Sequence, residues 1–458
     1  MKVLTHQQMR NADLAAITAG IPALVLMENA AYALLRALEQ RYMPLSEQRI
    51  AIFCGKGNNG GDGLALARLL QIHHQPKDMK VILAFEPQEL SPDAARQLVM
   101  LEALEIPYSM QLPQDLAATT LAVDALLGTG MSGEPRPPIA DLITLINELP
   151  LARRVAVDIP SANRVHADLI VTFAAPKPEH VMLDQPELVI APIGIPEKFL
   201  AQAELNLITP RDLKPVGAKR ALDSHKGSFG HVAVIGGAGA LQMAGAAAIR
   251  AGAGWVTVYS SDPGFTIGLP DLMKGAWPPS VAGKIVAIGP GLGQSEQALV
   301  ESLYLNHDGP LILDADALNV LAPLSQSTSH LRVLTPHPGE MRRLLGRELG
   351  DRIEDSSGLS KLTNSVVVLK GQRTVIAFPS GQVWINPTGS PALAKAGSGD
   401  VLTGLMAGLL SQYPSHPEQA ILAAVYLHGR LGEYSHEMTS LASRLCDNLP
   451  EALGELSV

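Results

Sequence analysis

Short runs of β-branched residues alternate with longer amphipathic or Ala/Leu-rich segments along the whole chain of 458 residues. This alternation is typical of parallel α/β sheets, in which each strand is followed by a covering helix. In the first half it predicts strands over 49–54, 80–85, 121–124, 153–158, 168–173 and 187–190, and helices over 6–18, 23–40, 63–73, 92–104 and 139–149. In the second half it predicts strands over 231–235, 255–260, 284–288, 311–314, 332–335, 365–369, 374–378 and 382–386, and helices over 241–251, 294–305, 339–345, 400–410 and 417–428.

A proline-containing segment of mixed charge separates the two halves. Residues 209–216 show no hydrophobic period, which is typical of a linker. We therefore expect two different α/β domains, over residues 1–212 and 213–458. A stretch at 232–249 approaches the length of a membrane span, but glycines interrupt it, and we interpret it as a buried turn between a strand and a helix.

Composition limits the classes of function. The net charge of -9 argues against a dedicated nucleic-acid or anionic-membrane binder, and the 4% of aromatic residues leaves Ala, Leu, Val and Ile to build the cores. Two cysteines, Cys54 and Cys446, cannot form a disulfide framework and fit a reducing cytosol. No apolar secretion segment follows Met1, so we expect a cytoplasmic protein. We also expect a homo-oligomer that acts on small-molecule substrates and has neither nucleic-acid nor membrane partners.

A glycine-rich loop at residues 55–63 follows a predicted strand and opens a helix. Its glycines let the backbone approach a ligand, and free amides at a helix start attract anions. The loop is neither a Walker A loop nor a GxGxxG motif. An ordinary β–α turn with Asp62 as helix cap would explain the glycines, but not the adjacent Asn58 and Asn59.

Two further strand ends in this half carry polar residues. Asp124 leads into AlaLeuLeuGlyThrGly, and Asp158 is followed by IleProSer, which ends at Ser161. Because the ligand crevice of an open parallel sheet lies at the carboxyl ends of its strands, Asn59, Asp124, Asp158 and Ser161 are expected to converge. A lone aspartate at a strand end is usually a cap, but three such ends favour a site.

These three motifs resemble the N-terminal domain of the YjeF family, the NAD(P)H-hydrate epimerases, over roughly residues 1–210. The resemblance implies a Rossmann-like three-layer fold and interconversion of the R and S hydrates of NADH and NADPH. It also implies that Asn59, Asp124 and Ser161 hold a potassium ion and that Asp158 faces the substrate. The implied dinucleotide contacts are Asn58, Asn59, Gly60, Gly61, Asp62, Gly128, Thr129, Gly130, Met131, Ser132, Gly133, Glu134 and Asp158.

The hydrated nicotinamide ring suits this chemistry. Its C6 carries a hydroxyl beside the ring nitrogen, so the nitrogen can help to expel hydroxide, and re-addition on the other face inverts the carbon. A carboxylate such as Asp158 can move the proton in both directions. After Ser161 the chain departs from the family: Ala162 stands where the family usually has Gly, and only residues 163–166 precede the next strand. We expect a pocket more open to water near Asp158.

The most specific motif of the second half is Gly397-Ser398-Gly399-Asp400, which lies directly before an apolar helical run. Small residues there expose amides that can hold a transferring phosphoryl group, and Asp400 can accept a proton from an attacking hydroxyl. An ordinary Gly-Asp helix cap explains the tetrapeptide equally well.

Other motifs of this half are weaker when taken singly. His337 lies between two prolines, with Glu340 as a candidate outer-shell magnesium partner, although a buried structural histidine is the alternative. Residues 370–374 predict a hairpin that could hold a nucleotide or could be an exposed turn. The remaining motifs are GlyProGlyLeuGly at 289–293 and LeuAspAlaAspAlaLeuAsn at 313–319.

In this order the motifs resemble the C-terminal YjeF domain, the ADP-dependent NAD(P)H-hydrate dehydratases of the ribokinase-like superfamily, over about residues 215–455. The resemblance implies phosphorylation of the 6-hydroxyl by ADP with Mg²⁺, proton removal by Asp400, and elimination of phosphate. The implied substrate contacts are Gly291, Gly293, His337 and Asp400, and the implied ADP contacts are Lys370, Gly371, Gln372, Arg373, Thr374 and Gly399. Two alternatives stay open: a ribokinase-like kinase for a vitamin precursor, and a first domain that only binds a dinucleotide.

Overall fold

The computed structural model describes residues 1–128, 134–182 and 187–457. The chain forms two compact units. The first unit comprises residues 2–203, and the second unit begins at Glu204 and includes Met1. Residues 209–216, the predicted linker, follow the first strand of the second unit and include a 3-10 helix over Pro210–Leu213.

The first unit is a parallel sheet covered by helices. Its strands are β1 Arg49–Cys54, β2 Asp78–Leu83, β3 Tyr108–Ser109, β4 Leu121–Ala125, β5 Arg153–Val157, β6 Leu169–Phe173 and β7 Glu187–Ala191. Its helices are α1 His6–Thr18, α2 Ala23–Tyr42, α3 Asn58–His73, α4 Pro92–Glu102, α5 Ile139–Glu148 and α6 Pro178–Met182. All paired strands run parallel, in the order β3-β2-β1-β4-β5-β6-β7.

The first unit has three layers, with the sheet between two sets of helices. The side chains of β1 point alternately to the two faces of the sheet. Ile50 and Ile52 pack into the core formed with α2, α3 and α4, whereas Phe53 packs into the core formed with α5. Both faces of the sheet are therefore apolar, as a parallel sheet with helices on each side requires. The strand order reverses between β1 and β4, which places a crevice at the carboxyl ends of these two strands.

The second unit has a longer, mostly parallel sheet. Its strands are β8 Leu205–Leu207, β9 His231–Ile235, β10 Trp255–Tyr259, β11 Met273–Lys274, β12 Ile285–Ile288, β13 Leu311–Leu313, β14 Arg332–Leu334, β15 Val366–Leu369, β16 Val375–Ala377 and β17 Val383–Ile385. Its helices are α7 Ala238–Arg250, α8 Gln297–Asn306, α9 Asp316–Leu321, α10 Pro338–Leu345, α11 Arg352–Thr363, α12 Ser398–Gln412, α13 Pro417–Glu433 and α14 Leu449–Gly454. The strand order is β11-β10-β9-β12-β13-β14-β15-β16-β17-β8, and only β16 pairs antiparallel with its neighbours.

Most elements lie within a few residues of their predicted bounds, but some predictions were wrong. Helix α3 begins at Asn58 rather than at 63, because the glycine-rich motif forms the first helical turn instead of a loop. Strands β3, β8 and β11 and helices α6, α9, α11 and α14 were not predicted. Residues 232–249 form most of β9 and α7 with a short turn between them, as expected, and in the described ranges no helix is long and apolar enough to cross a membrane.

Glycines bring α7 and α12 into close contact, and α12 begins at the predicted phosphoryl site. A Cβ atom on Gly404 would lie 2.1 Å from the carbonyl oxygen of Ala244, and one on Gly408 would lie 2.5 Å from that of Ala248. Because both obstacles are backbone atoms of another helix, neither can turn away as a side chain could. The absence of side chains at these two positions therefore sets the distance between the helices.

We expect Gly404→Ala to destabilise the second unit by about 1–3 kcal/mol or more, because the added methyl group overpacks the α7–α12 contact. The matched control is Gly358→Ala in α11, where a Cβ atom would meet nothing within 4 Å, so stability should rise by up to about 1 kcal/mol. All three tryptophans, Trp255, Trp277 and Trp384, belong to the second unit, so urea unfolding followed by tryptophan fluorescence reports on it selectively. Equal midpoints for the two variants would contradict the packing argument.

Candidate active sites

The first site lies at the crevice between β1 and β4, where two loops meet backbone to backbone. A Cβ atom on Gly55 would lie 1.8 Å from the carbonyl oxygen of Leu126, and one on Gly60 would lie 1.9 Å from that of Gly55. Glycine is therefore required at both positions for the loops to close. This contact places Asn59 and Asp62 on the first turn of α3, beside the residues that follow β4.

Asn59, Asp124 and Ser161 meet at Leu126 and Leu127, the two residues that follow β4. Asn59 Nδ2 donates to the Leu127 carbonyl oxygen at 3.1 Å, and the Leu127 amide donates to Ser161 Oγ at 3.0 Å. Ser161 donates to both Asp124 oxygens, from Oγ at 2.6 Å and from its amide at 2.8 Å, and the Leu126 amide adds a contact of 3.2 Å. The structure thus brings together the three residues predicted to hold potassium.

The Asp124 carboxylate is fully buried and has no ion-pair partner within the described ranges. Burial raises its pKa to about 6, although the hydrogen bonds from Ser161 and Leu126 act in the opposite direction. A buried carboxylate surrounded by hydroxyl, amide and carbonyl oxygens has the donor chemistry of a site for a hard cation.

Next to this cluster is a cavity of about 750 Å³ within the first unit. The predicted dinucleotide residues Asn58, Asn59, Asp62, Gly128, Glu134 and Asp158 line it. A Cβ atom added to Gly60 would point instead at the Gly55 backbone, and one added to Gly61 would point at the Met27 side chain. The predicted contacts Thr129, Gly130, Met131, Ser132 and Gly133 lie outside the described residues.

A lysine that the sequence analysis gave no role holds Asp158 in place. Lys177 is fully buried, and its Nζ lies 2.5 Å from Asp158 Oδ1 and 2.8 Å from Thr172 Oγ1. Thr172 also donates to Asp158 Oδ1 at 2.8 Å. Burial alone would raise the pKa of Asp158, but the Lys177 ammonium and these hydrogen bonds outweigh burial and hold the pKa below its ordinary value.

The segment after Ser161 closes as a tight turn. Asp158 has φ of 65°, and Ala162 and Asn163 both have φ of 56°, a left-handed conformation that favours glycine. The Asn163 amide donates to the Pro160 carbonyl oxygen at 2.7 Å. The Asp158 side chain is 13% exposed and lines the cavity. The expectation that the short segment leaves the pocket more open to water stays a prediction.

Two more carboxyl groups line the same cavity. Asp13, on α1, was not singled out from the sequence because no motif surrounds it, and Asp62 was expected only as a binding residue or cap. Burial raises the pKa of Asp13 to about 6 and that of Asp62 well above its ordinary value. Within the described ranges, neither side chain accepts a hydrogen bond. The cavity therefore contains Asp13, Asp62, Asp158 and a single buried ammonium.

The second site lies where β13 and β15 end and α12 begins. Asp314, 2% exposed, accepts from Lys370 Nζ at 2.6 Å through Oδ1 and from Thr403 Oγ1 at 3.0 Å through Oδ2. Glu340 Oε2 lies 4.0 Å from the same ammonium. Burial alone would raise the pKa of Asp314, but Lys370 outweighs it and keeps the carboxylate ionised. Asp314 lay inside a sequence motif but had been given no role.

The first turn of α12 faces this ion pair. Gly397 precedes the helix with φ of 91°, and a Cβ atom on Gly399 would lie 3.6 Å from both Asp314 Oδ2 and Lys370 Nζ. The pKa of Asp400 is raised to about 6, because burial and the nearby charge of Asp314 outweigh the opposite effect of Lys370. The structure thus brings together Asp400, Gly399 and Lys370, three of the predicted residues.

A partly buried histidine that sequence analysis missed supports this turn. His428 Nε2 donates to the Ser398 carbonyl oxygen at 2.9 Å, and it also lies 3.2 Å from Ser398 Oγ. Burial lowers the pKa of His428 to about 4, so the ring is neutral at physiological pH. A lone histidine near the end of an apolar helix gave no sequence signal for this contact.

The remaining predicted residues of the second unit lie in nearby loops. Gly291 and Gly293 are both left-handed, with φ of 64° and 74°, and the Gly237 amide donates to the Pro290 carbonyl oxygen at 2.9 Å. This contact joins the loops that follow β9 and β12, where the strand order reverses. His337 caps α10: its Nδ1 accepts from the Gly339 amide at 3.0 Å, while half of its side chain stays exposed.

The hairpin over 370–374 divides between the interior and the surface. Lys370 turns inward to Asp314, whereas Gly371 and Gln372 are exposed. The Gln372 carbonyl oxygen accepts from Arg352 Nη1 at 2.7 Å, Arg373 Nη1 donates to the Pro387 carbonyl oxygen at 2.7 Å, and Thr374 Oγ1 donates to the Gly371 carbonyl oxygen at 2.9 Å. The hairpin is therefore fixed by one internal hydrogen bond and by two to neighbouring segments.

Comparison with known proteins covers both units. A family model described as YjeF-related protein N-terminus matches residues 23–179, and one described as NAD(P)H-hydrate dehydratase matches residues 232–453. The Bifunctional NAD(P)H-hydrate repair enzyme Nnr of Moorella thermoacetica is 36% identical over 100% of this chain and 97% of that protein. The chain belongs to the family of bifunctional NAD(P)H-hydrate repair enzymes.

Further relatives agree with this membership. The repair enzyme of the same name from Coxiella burnetii is 37% identical over 97% of this chain and 98% of that protein. A solved ADP/ATP-dependent NAD(P)H-hydrate dehydratase from Bacillus subtilis, co-crystallised with ATP/Mg²⁺, is 35% identical with a TM-score of 0.50, and covers 55% of this chain and 98% of that chain. The predicted α/β class, the two-domain architecture and the YjeF resemblance are confirmed, and the vitamin-precursor kinase is not favoured.

Proposed function

We propose that this chain repairs hydrated NADH and NADPH in two steps. The first unit interconverts the R and S hydrates, and the second unit dehydrates the S form with ADP, giving NAD(P)H, AMP and phosphate. The observation that carries the proposal is the turn at Gly399 and Asp400 beside the Lys370–Asp314 ion pair. It combines a proton acceptor with a cation and the N-terminal amides of a helix, as phosphoryl transfer to a hydroxyl requires.

Dehydration of the hydrate needs a better leaving group than hydroxide. Asp400 accepts the proton of the 6-hydroxyl while the hydroxyl oxygen attacks the terminal phosphorus of ADP. AMP leaves in the same step. Lys370 and the amides at residues 397–400 stabilise the charge on the moving phosphoryl group. Phosphate then leaves C6 and a proton leaves C5, which restores the double bond.

The other residues of the second unit bind the two ligands. Gly371, Gln372, Arg373, Thr374 and Gly399 would contact ADP, and Gly291, Gly293 and His337 would contact the hydrated dinucleotide. In the part of the chain that is described, no three His, Cys, Asp or Glu side chains are grouped to hold a metal. Mg²⁺ would therefore enter with the nucleotide phosphates, whose charge it would neutralise.

Asp400→Asn keeps the side-chain shape and removes the base, so we expect dehydration of the S-hydrate to fall by roughly 10²–10⁴-fold while ADP still binds. Asp308→Asn, which neutralises an exposed carboxyl of the same unit, is the control. Because Asp400 must be ionised to accept a proton and its pKa is about 6, the wild-type rate should rise as the pH increases through 6 and then level off. NADH formation from S-hydrate, ADP and Mg²⁺ is the measurement. Near-full activity of Asp400→Asn, or dehydration without ADP, would contradict this mechanism.

In the first unit the carboxylate of Asp158 faces the hydrated ring. Its negative charge stabilises the planar iminium that forms when hydroxide leaves, and Asp158 takes part in moving the proton. Lys177 holds this carboxylate in one position and keeps it ionised. Asn58, Asn59, Gly60, Gly61 and Asp62 would contact the dinucleotide, together with residues 128–134.

The donor set of Asn59, Asp124 and Ser161 would hold a potassium ion. The buried Asp124 charge, which has no ion-pair partner among the described residues, supports this assignment. When bound, the ion supplies positive charge beside the dinucleotide phosphates. The three residues in turn fix the loops that follow β1, β4 and β5.

We expect pure R-hydrate with ADP to yield NADH much faster than spontaneous epimerisation allows, and this advantage to be lost in Asp158→Ala. Replacing K⁺ by tetramethylammonium, which is too large for the Asp124 site, should slow the same reaction. Dehydration of S-hydrate by the same protein is the internal control and should change little in either case. Conversion of R-hydrate at the spontaneous rate, unchanged in Asp158→Ala, would mean that the first unit only binds the dinucleotide.

A further inference from the structure

We infer that Asp13 is a second proton-transferring group of the first site, acting with Asp158 in the inversion of C6; this rests on the proposed epimerase function. Asp13 lies on α1 and Asp158 follows β5, so the two carboxyl groups reach the cavity from different elements. Both interact electrostatically with the one buried ammonium, that of Lys177.

Asp13, Asp62 and Asp158 share one buried ammonium, that of Lys177, although Arg10, Lys56 and Arg136 also line the cavity. The three donor hydrogens of the Lys177 ammonium are used by Asp158, Thr172 and the Phe173 carbonyl oxygen. Asp13 and Asp62 accept none within the described ranges, and Asp62 is only 8% exposed. A carboxyl group that faces a cavity without a partner is available to a ligand in that cavity.

Inversion at C6 makes a geometric demand that Asp158 alone does not meet. Hydroxide must leave from one face of the ring and return on the other, and each event needs a proton donor or acceptor on its own face. Asp158 is fixed by Lys177 at 2.5 Å and Thr172 at 2.8 Å, on a backbone held at φ of 65°. A carboxylate held in this way serves one face, so a second group must serve the other.

The electrostatic environment suits Asp13 for carrying a proton. Its pKa is raised to about 6, because burial, which the Lys177 charge partly offsets, acts together with the negative charge of Asp158. Asp62 also faces Asp13, and Arg10 lines the same cavity. Asp158 stays ionised, because Lys177 holds its pKa below the ordinary range. Two carboxyls whose pKa values are moved apart can act as acid and base in one reaction.

The step can be written with all atoms accounted for. Protonated Asp13 donates its proton to the 6-hydroxyl, the C6–O bond breaks, water leaves, and the lone pair of the ring nitrogen forms the C=N bond of the iminium. A water molecule then adds to the opposite face, forming the new C6–O bond, and gives its proton to the Asp158 carboxylate. Solvent returns the proton from Asp158 to Asp13, and the reverse reaction uses the two groups in the opposite order.

The test compares Asp13→Asn with Asp13→Glu and with Asp93→Asn in the full chain. Asp93 lines the same cavity but is paired with Arg96 at 3.7 Å. NADH formation from R-hydrate with ADP is measured, with S-hydrate as the control for the second unit. We expect kcat for R-hydrate to fall by roughly 10²-fold or more in Asp13→Asn with KM nearly unchanged. Asp13→Glu, which keeps the acid, should recover at least about tenfold over Asp13→Asn.

The outcomes separate this inference from the function on which it rests. If the wild-type protein is an active epimerase and Asp13→Asn keeps the wild-type kcat, the role of Asp13 is overturned and the epimerase function stands. Equal losses in Asp13→Asn and Asp13→Glu, or in Asp13→Asn and Asp93→Asn, also overturn it, because the effect would then be structural or due to charge in general. Wild-type protein that converts R-hydrate no faster than the spontaneous rate overturns both the epimerase function and this inference.

Discussion

A lysine paired with a buried strand-end aspartate lies at the centre of each site, the lysine being fully buried in the first unit and 21% exposed in the second. In the first unit Lys177 Nζ is 2.5 Å from Asp158, and in the second Lys370 Nζ is 2.6 Å from Asp314. A buried charge without a partner is expensive, and removing one member of such a pair typically costs about 3–5 kcal/mol. Each pair therefore fixes the loops that carry it, and each keeps one carboxylate ionised in a place where burial would otherwise protonate it.

The same two pairs define the chemistry of their surroundings. A second carboxyl lies near each pair, Asp13 in the first unit and Asp400 in the second, and burial raises the pKa of both to about 6. One acid in each site is thus held as a fixed negative charge, while the other can gain or lose a proton near neutral pH. Parallel sheets make this arrangement accessible because polar residues at neighbouring strand ends converge at one edge.

The regular part of the fold could be predicted from the sequence because it depends on local patterns. The alternation of apolar runs located β1 and β9 at their observed bounds, and the glycine motifs located the loops that close both crevices. The local pattern gave the wrong start for α3, where a glycine-rich run forms a helical turn. This turn depends on its close contact with Gly55, which the local pattern does not show.

The candidate sites were predictable only where a motif surrounds the residue. Asp158 and Asp400 follow or open such motifs, whereas Asp13 and His428 lie in helices without any local signature. Their positions depend on packing: α1 brings Asp13 to the cavity, and α13 brings His428 to the Ser398 carbonyl oxygen. Lys177 was visible in the sequence, but only the fold shows that it is buried against Asp158.

The central claim is that each site has one carboxyl that stays ionised and one that titrates near pH 6. The most direct test is a carboxyl ¹³C NMR titration of the full chain with labelled aspartate. Resonances are assigned by their loss in Asp13→Asn, Asp400→Asn, Asp158→Asn and Asp314→Asn. The account predicts that the Asp13 and Asp400 carboxyls titrate near pH 6, and that those of Asp158 and Asp314 stay ionised below the ordinary aspartate range. Titration of all four together with the exposed aspartates would contradict it.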